Sequence, residues 1–401
     1  MTRITRLALI ALVAACLGPA PARAADPIKV GFSAPLTSPI AFIAERAKLG
    51  TEYAVAELNA KGGIMGRPVE VLYGDTRLDP NEAINIARRY TLQDKVVAYF
   101  GDFTSSGTLA IIDILARANV PQITYTNAIK ITRSGYKHVI NLKPNSDHLT
   151  AAALDYAVRD KKYQKLAVMA LDDEYGKGNV DAIERYLKKY GGAEVVGKEW
   201  YRLDAKEFRP LLTKLAGLKP DAIVLTGSLA DTGLLVKQYG ELGLKIPLVG
   251  GGGHSSKAFR NIAGSASDGM VVVPAFWPGY FKNKEAMDFE KGFNAKYTAL
   301  EGDEWSMYAY DAVMIVAGAM ERAKSTDGRQ GDPRDVQGHA DQRRRRHLQD
   351  HGQRRDRHHG VHRDVGLGRQ GPGHPRLDAA QDRLRPSPCA SASTSRRASR
   401  G

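Results

Sequence analysis

Cysteine is almost absent from this chain of 401 residues, and neither of its two cysteines lies in the region of globular composition. Cys16 falls in an N-terminal leader and Cys389 in a C-terminal segment of unusual composition. The sequence between them therefore excludes a disulfide, a thiolate zinc site and a cysteine nucleophile. No arrangement of serine and histidine suggests nucleophilic catalysis, so we expect no enzymatic activity, no metal and no cofactor.

The central region, residues 25–324, is not strongly basic, although the formal net charge of the chain is +14. That charge divides into +8 for residues 325–401, +3 for residues 1–24 and only +3 for residues 25–324. Nucleic acids and anionic membranes are recognised by a basic stripe on a folded surface. The near-neutral body therefore gives no reason to expect nucleic acid or anionic lipid as a partner.

Long apolar runs are missing after the leader, and the run in the leader is short. Two arginines precede the apolar stretch 7–17, which cannot span a bilayer, and Ala22-Arg23-Ala24 offers small residues for cleavage. This pattern predicts a signal peptide over residues 1–24 and a mature protein in the periplasm. The alternative is a lipoprotein signal, in which Cys16 is acylated and anchors the protein to a membrane.

Short runs of β-branched residues alternate with longer segments of helical period from residue 28 onward. The predicted strands cover 28–34, 69–73, 96–100 and 122–125, then 166–171, 194–200, 223–225, 247–249 and 270–273. The predicted helices between them cover 44–61, 80–93, 106–118, 178–189, 207–216 and 232–242. This alternation is typical of parallel sheets covered by crossover helices. It predicts an α/β protein of two Rossmann-like lobes, with crossings between them near 141–145 and 274–280.

Six short motifs occur in an order and spacing known from one protein family. They are Ile28-Lys29-Val30-Gly31, Asn59-Ala60-Lys61-Gly62-Gly63-Ile64, Asp79-Pro80, Gly101 with Ser105-Ser106, Asp173-Glu174-Tyr175-Gly176, and Tyr308-Ala309-Tyr310-Asp311-Ala312. Through them, the chain resembles the periplasmic leucine/isoleucine/valine-binding protein family, the substrate-binding components of ABC importers.

The resemblance implies a type I periplasmic binding protein fold, in which two lobes joined by hinge strands close on a small ligand. It assigns residues 25–142 and 275–324 to the first lobe and residues 143–274 to the second. It also implies a monomer that delivers a branched-chain amino acid, or a related carboxylate or amide, to permease subunits in the inner membrane. A ligand sensor of the same fold is the alternative function.

The segment 101–106 leaves a strand and enters a helix, so hydroxyls and free backbone N–H groups meet at a helix N-terminus. Such an arrangement suits a carboxylate. The resemblance places the ligand's acid group on Ser105, Thr126 and the backbone of Ala128, with Ser106 beside them. The alternative is that Ser105 and Ser106 only cap the helix.

The residues expected around the rest of the ligand depart from the family. The carboxylate that pairs with the ligand ammonium in leucine binders falls here on Gly252, and a second-lobe aromatic falls on Ser228. Asp231 could replace that carboxylate or cap the next helix, and His254 could contact the ligand or be solvated. Tyr175 could close over the ligand or pack on its own helix. Because a buried ammonium without a carboxylate is costly, an acid or amide without an amine is an alternative to an amino acid.

The composition changes abruptly at Ser325. From there to the C-terminus there are seventeen arginines and nine aspartates, but no aromatic residue apart from histidine, and no isoleucine, methionine, lysine or glutamate. Such a segment cannot build a core, and we expect residues 325–401 to be disordered. A translational frameshift would explain the change and would leave the first lobe incomplete and the product non-functional. An arginine-rich nucleic-acid arm and a histidine-rich metal tract are the alternatives.

We expect the gene, resequenced across the Ser325 codon, to show a frame change that restores a segment of ordinary composition. The measurement is the nucleotide sequence together with the intact mass of the protein. A confirmed reading frame and a mass that includes the whole tail would contradict the frameshift.

Overall fold

A computed structural model describes residues 25–251, 254, 257–273, 283–297 and 303–328. The predictions for the signal peptide, for Gly252, for the crossing near 274–280 and for the tail beyond residue 328 concern residues outside these ranges.

The first sheet has five parallel strands in the order β2-β1-β3-β4-β5. They are β1 (Ile28–Ala34), β2 (Val69–Asp75), β3 (Ala98–Phe100), β4 (Gln122–Thr124) and β5 (Val139–Asn141). The helices between them are α1 (Ala41–Ala60), α2 (Pro80–Arg89) with a π-helical turn over Tyr90–Asp94, α3 (Ser105–Arg117) and α4 (Ile129–Thr132). After β5 the chain crosses to the second sheet through residues 142–145.

The second sheet also has five parallel strands, in the order β7-β6-β8-β9-β10. They are β6 (Lys165–Leu171), β7 (Glu194–Tyr201), β8 (Ala222–Thr226), β9 (Leu248–Gly251) and β10 (Val271–Val273). Its helices are α5 (Ser146–Leu154), which continues as a π-helical segment over Asp155–Asp160, α6 (Glu174–Tyr190), α7 (Arg209–Gly217), α8 (Leu229–Glu241) and α9 (Lys257–Ala263). Two further helices follow, α10 (Lys284–Lys296) and α11 (Glu304–Ala323).

The two sheets share one topology, since the second strand of each lies outside the first, and the third, fourth and fifth follow on the other side. The predicted α/β class with two parallel sheets is therefore confirmed. In this order the second strand is added on one side of the first strand and the third strand on the other side. This change of side opens a crevice at the carboxyl ends of the first and third strands. The crevice edges are β1 and β3 in the first lobe, and β6 and β8 in the second.

Alternate residues of the central strands face two different cores. On β1, the alternate residues Val30 and Phe32 lie on one face and belong to the core that contains α1 and α11. On β6, the successive residues Val168 and Met169 belong to the cores on opposite faces of the second sheet. Strands covered on both faces must be apolar on both. This explains why they read as nearly continuous apolar runs in the sequence.

Helix α11 returns to the first lobe and packs on α1 at very short range. A Cβ atom added at Gly50 would lie 2.0 Å from the backbone oxygen of Ser306. Only a residue without a side chain allows the two helix backbones to approach this closely.

Replacing Gly50 by alanine should lower the free energy of unfolding by about 2 kcal/mol, since the two helices must separate to admit the methyl group. Urea denaturation measures this change. The matched control is Gly217→Ala on the exposed end of α7, where an added Cβ meets nothing within 4 Å. The control should be neutral, or stabilising by about 0.5–1 kcal/mol. Equal stability of the two variants would contradict the close packing.

Candidate functional site in the crevice

The N-terminus of α3 opens onto the crevice edge of the first sheet. Thr104 is its N-cap, and the Thr104 hydroxyl accepts a hydrogen bond from the Gly107 N–H at 3.0 Å. Ser105 therefore does not cap the helix: it is 3% exposed, and its hydroxyl has no hydrogen-bond partner within the described part of the chain. Ser106 is half-buried beside it.

The loop after β4 brings a second free hydroxyl to the same edge. The Asn141 side chain fixes this loop, since it accepts from the Thr126 N–H at 3.1 Å and donates to the Thr126 carbonyl at 2.8 Å. The Thr126 hydroxyl is buried and has no partner among the described residues. Ala128, also buried, is the N-cap of α4. Two unpartnered hydroxyls thus follow two adjacent strands, β3 and β4.

Asp102 lies under this edge, where it holds the loop before α3. Its carboxylate accepts from the Thr104 N–H at 2.8 Å, and its carbonyl accepts from the Thr108 and Thr124 hydroxyls, each at 3.0 Å. Asp102 is 1% exposed. Burial raises the pKa of this carboxyl to about 6, although the Thr104 backbone hydrogen bond lowers it.

In the second lobe, Tyr175 lies in the first turn of α6, after the Asp173 N-cap, whose carboxylate accepts from the Gly176 N–H at 2.8 Å. Tyr175 lines a cavity of about 60 Å³ together with residues of both lobes, among them Asn127, Lys143 and Thr226. A volume of this size holds several water molecules or one polar group of a ligand.

Sequence reasoning missed five polar residues of this cavity, which are Asn127, Lys143, Thr150, Asn179 and Thr226. Thr226 ends β8, is 5% exposed and has a hydroxyl without a hydrogen-bond partner in the described ranges. The sequence could have identified Thr226, because it is a polar residue that ends a predicted buried strand. Lys143 carried no such signal, since a lysine in a loop is normally solvated.

Asp231 caps α8, which was one of its two predicted roles. It forms a capping box with Ser228, and the Tyr201 hydroxyl donates to it at 2.5 Å. Asp231 is 5% exposed, and burial raises the pKa of its carboxyl. Ser228 lies at the end of this helix next to the crevice and is half-buried.

His254 is buried, not solvated. It is 3% exposed, and its ring centroid lies 5.0 Å from that of Phe259. A Cβ added at Gly250 would lie 2.2 Å from its Nδ1 atom, so the glycine makes room for the ring. Burial lowers the pKa of His254 to about 4, and the ring is therefore neutral at physiological pH.

The two lobes touch along the crevice. The Lys130 ammonium lies 2.8 Å from the Glu174 carboxylate across it, and the Arg133 guanidinium lies 3.2 Å from Asp147. A Cβ added at Gly178 would lie 3.5 Å from the Cα of Ala128. The lobes are therefore in direct contact on this side of the crevice.

Within the described ranges, no cluster of three or more histidine, cysteine, aspartate or glutamate side chains could hold a metal ion. None of the helices in these ranges combines the length and apolar character needed to cross a membrane.

The family model described as periplasmic binding protein matches residues 27–362. This match continues past Ser325, and the frameshift stays a prediction. A Leu/Ile/Val-binding protein homologue of Brucella melitensis is 30% identical over 315 residues, which cover 78% of this chain and 84% of the relative.

Two solved structures show the same fold. A branched-chain amino acid substrate-binding protein of Streptococcus pneumoniae, in complex with isoleucine, is 25% identical with a TM-score of 0.70, over 78% of this chain and 88% of the other. A solute-binding protein of R. palustris, in complex with benzoate, is 22% identical with a TM-score of 0.70, over 78% of this chain and 85% of the other. The predicted type I periplasmic binding protein fold is confirmed.

Asp102 makes a contribution to stability that is present in mild acid and is lost as pH rises. Its pKa rises from 3.8 in the unfolded chain to about 6 in the folded protein, so its carboxyl binds more protons in the folded state between these values. The contribution of Asp102 to the free energy of unfolding should therefore fall as pH increases through this window, by at most about 3 kcal/mol, while the lowered pKa of His254 acts in the opposite direction in the parent and the variant alike. In Asp102→Asn this contribution should vanish, and the variant should gain stability relative to the parent as pH rises.

Urea denaturation at a series of pH values measures this effect, with the exposed Asp160→Asn as control. Burial also raises the pKa of Asp173 to about 6, so part of the slope persists in every variant. Parallel pH profiles for Asp102→Asn and the parent would contradict the shifted pKa.

Proposed function

Since the chain belongs to the periplasmic binding protein family, we propose that it is the extracytoplasmic substrate-binding component of an ABC importer. It binds a small organic solute in the cleft between the lobes and delivers it to permease subunits in the inner membrane. The solute is a branched-chain amino acid or a related carboxylate or amide. This protein catalyses no reaction and works as a monomer in the periplasm, after removal of residues 1–24.

The observation that carries this proposal is the pair of unpartnered hydroxyls on Ser105 and Thr126. Both are buried, both follow the carboxyl end of a strand in the first sheet, and Ser105 begins a helix. A buried hydroxyl without a partner is destabilising, and a helix N-terminus favours a negative charge. A ligand carboxylate would satisfy both hydroxyls and the backbone N–H groups beside them.

The second lobe supplies the other wall of the proposed site. Tyr175 and Ser228 begin helices at the crevice edge of the second sheet, and Tyr175 lines one cavity with Asn127 of the first lobe, which supports this arrangement. We keep Asp231, Gly252 and His254 as candidate contacts from the sequence. Asp231 is already engaged by Tyr201, and His254 is neutral and packed under Gly250, so each would contribute less than Tyr175.

The compounds associated with similar proteins support a small carboxylate as the ligand. The curated relative is named for leucine, isoleucine and valine, and the solved structures of the same fold hold isoleucine and benzoate. All four compounds carry a carboxylate. The proposed division of the chain assigns 25–142 and 275–324 to the first lobe and 143–274 to the second.

Ser105→Ala should reduce the affinity for the ligand about 10- to 150-fold, because one hydrogen bond to a charged group is lost. The stability of the unliganded protein should stay unchanged or rise, since the variant removes an unsatisfied buried hydroxyl. Isothermal titration with the best compound from a thermal-shift panel of amino acids, aliphatic and aromatic acids and amides gives the affinity.

The matched control is Ser267→Ala, far along the chain, where the hydroxyl donates to the Gly264 carbonyl on the surface. It should leave affinity unchanged. Unaltered binding in Ser105→Ala would remove this serine from the site, and a parent protein that binds none of the panel would refute the proposed function.

A further inference from the structure

Lys143 is the only buried lysine or arginine among the residues that the structure describes, at 7% exposed. It lies in the crossing between β5 and α5. Removing an ammonium group from water costs several kcal/mol unless a partner compensates it. A lysine in this position therefore needs a compensating interaction or a function.

The compensation within the described part of the chain is incomplete. The Lys143 Nζ atom lies 3.5 Å from a carboxylate oxygen of Glu304 and 4.0 Å from the centre of the Trp305 ring. A charge-assisted hydrogen bond of this type normally measures about 2.7–2.9 Å. Glu304 is equally buried, and neither of its carboxylate oxygens accepts a hydrogen bond. The ammonium has three N–H donors, so it retains unused donors.

Lys143 lies beside the proposed ligand site. Lys143 lines the cavity that it shares with Asn127, Tyr175 and Thr226. Asn127 lies between Thr126 and Ala128, the two residues proposed to hold the acid group. The Trp305 ring that covers the ammonium also packs against Phe103 of the loop before α3, at 6.4 Å between ring centres. The Trp305 ring therefore links Lys143 to the loop before α3.

The buried and half-buried carboxylates around the crevice have internal donors of their own. The pairs are Asp102 with the Thr104 N–H, Asp173 with the Gly176 N–H, Asp231 with the Tyr201 hydroxyl and Asp303 with the Ser306 N–H. Glu304 is the exception in the described ranges, and its nearest charged group is already an ammonium. A ligand ammonium that approached Glu304 would meet Lys143 at short range, and like charges repel strongly in a site of low dielectric.

We propose that Lys143 is a specificity-determining residue, which neutralises Glu304 and thereby selects carboxylic acids that carry no α-amino group. Its spare N–H donors attract the carboxylate of the ligand and repel an α-ammonium group. This inference rests on the proposed binding function and names the ligand class of that same cleft.

The test begins with isothermal titration of the full chain with two matched pairs of compounds. One pair is leucine and 4-methylpentanoate, and the other is phenylalanine and 3-phenylpropanoate. Within each pair only the amino group differs. We expect the parent protein to bind at least one deaminated acid about tenfold or more tightly than its amino acid counterpart, a difference typical of one lost or repelled charged contact.

The second step removes the charges. Lys143→Met alone would leave Glu304 buried without a counter-ion and could unfold the protein. The double variant Lys143→Met with Glu304→Gln removes both charges at similar side-chain volume. We expect it to lose about tenfold or more in affinity for the acid, while the ratio between acid and amino acid falls towards one. The control, Lys188→Met on the exposed face of α6, should reproduce the parent values.

The outcomes separate the inference from the function on which it rests. Equal acid affinity in the double variant and the parent would overturn the role of Lys143 and leave the binding function intact. A loss by the same factor for both members of a pair would make Lys143 a merely structural residue and would also overturn it. Tighter binding of leucine than of 4-methylpentanoate by the parent would overturn the selection of acids. Failure of the folded parent to bind any compound of the pairs or of the wider panel would refute the binding function itself.

Discussion

Parallel pairing is the constraint on which the rest of the structure depends, because it brings the carboxyl ends of all five strands of a sheet to one edge. The two sheets have the same strand order, so each presents one such edge. Ser105 and Thr126 follow strands of the first sheet, and Tyr175 and Thr226 lie at strand ends of the second. The sheets are packed on both faces, so the loops at these edges can change while the cores remain as they are.

Desolvation divides the polar groups at these edges into two kinds. Asp102 and Asp231 are deeply buried and Asp173 is half-buried, and they use backbone N–H groups or a tyrosine hydroxyl from their own lobe. The hydroxyls of Ser105 and Thr126 are left without partners in the described structure. Each such group costs about 1–3 kcal/mol. A ligand that supplies the missing partners recovers that free energy, so the same groups lower the stability of the empty protein and favour binding.

The sequence predicted the sheets well because buried parallel strands leave a strong apolar pattern. It missed β5, which has only three residues and ends in the polar Asn141. The hydroxyl cluster at Ser105 could be predicted, since a strand followed by Gly101 to Ser106 indicates a helix entrance. Lys143 and Glu304 could not, because their burial arises from the meeting of the β5–α5 crossing with the start of α11, which are far apart along the chain. The burial of His254 likewise depends on the space left by Gly250, which no local pattern reveals.

Closure of the crevice cannot depend mainly on the ion pairs that cross it. Lys130 and Glu174 have side chains that are 60% and 33% exposed, and Arg133 is 65% exposed. Exposed pairs contribute about 0–1 kcal/mol each and are weakened further by salt. The approach of Gly178 to Ala128 adds little apolar area, because both residues are small. Under the proposed function, the larger free energy for closure would come from satisfying the buried hydroxyls and Lys143, which a ligand would supply. Binding and closure would then be coupled through the same few polar atoms.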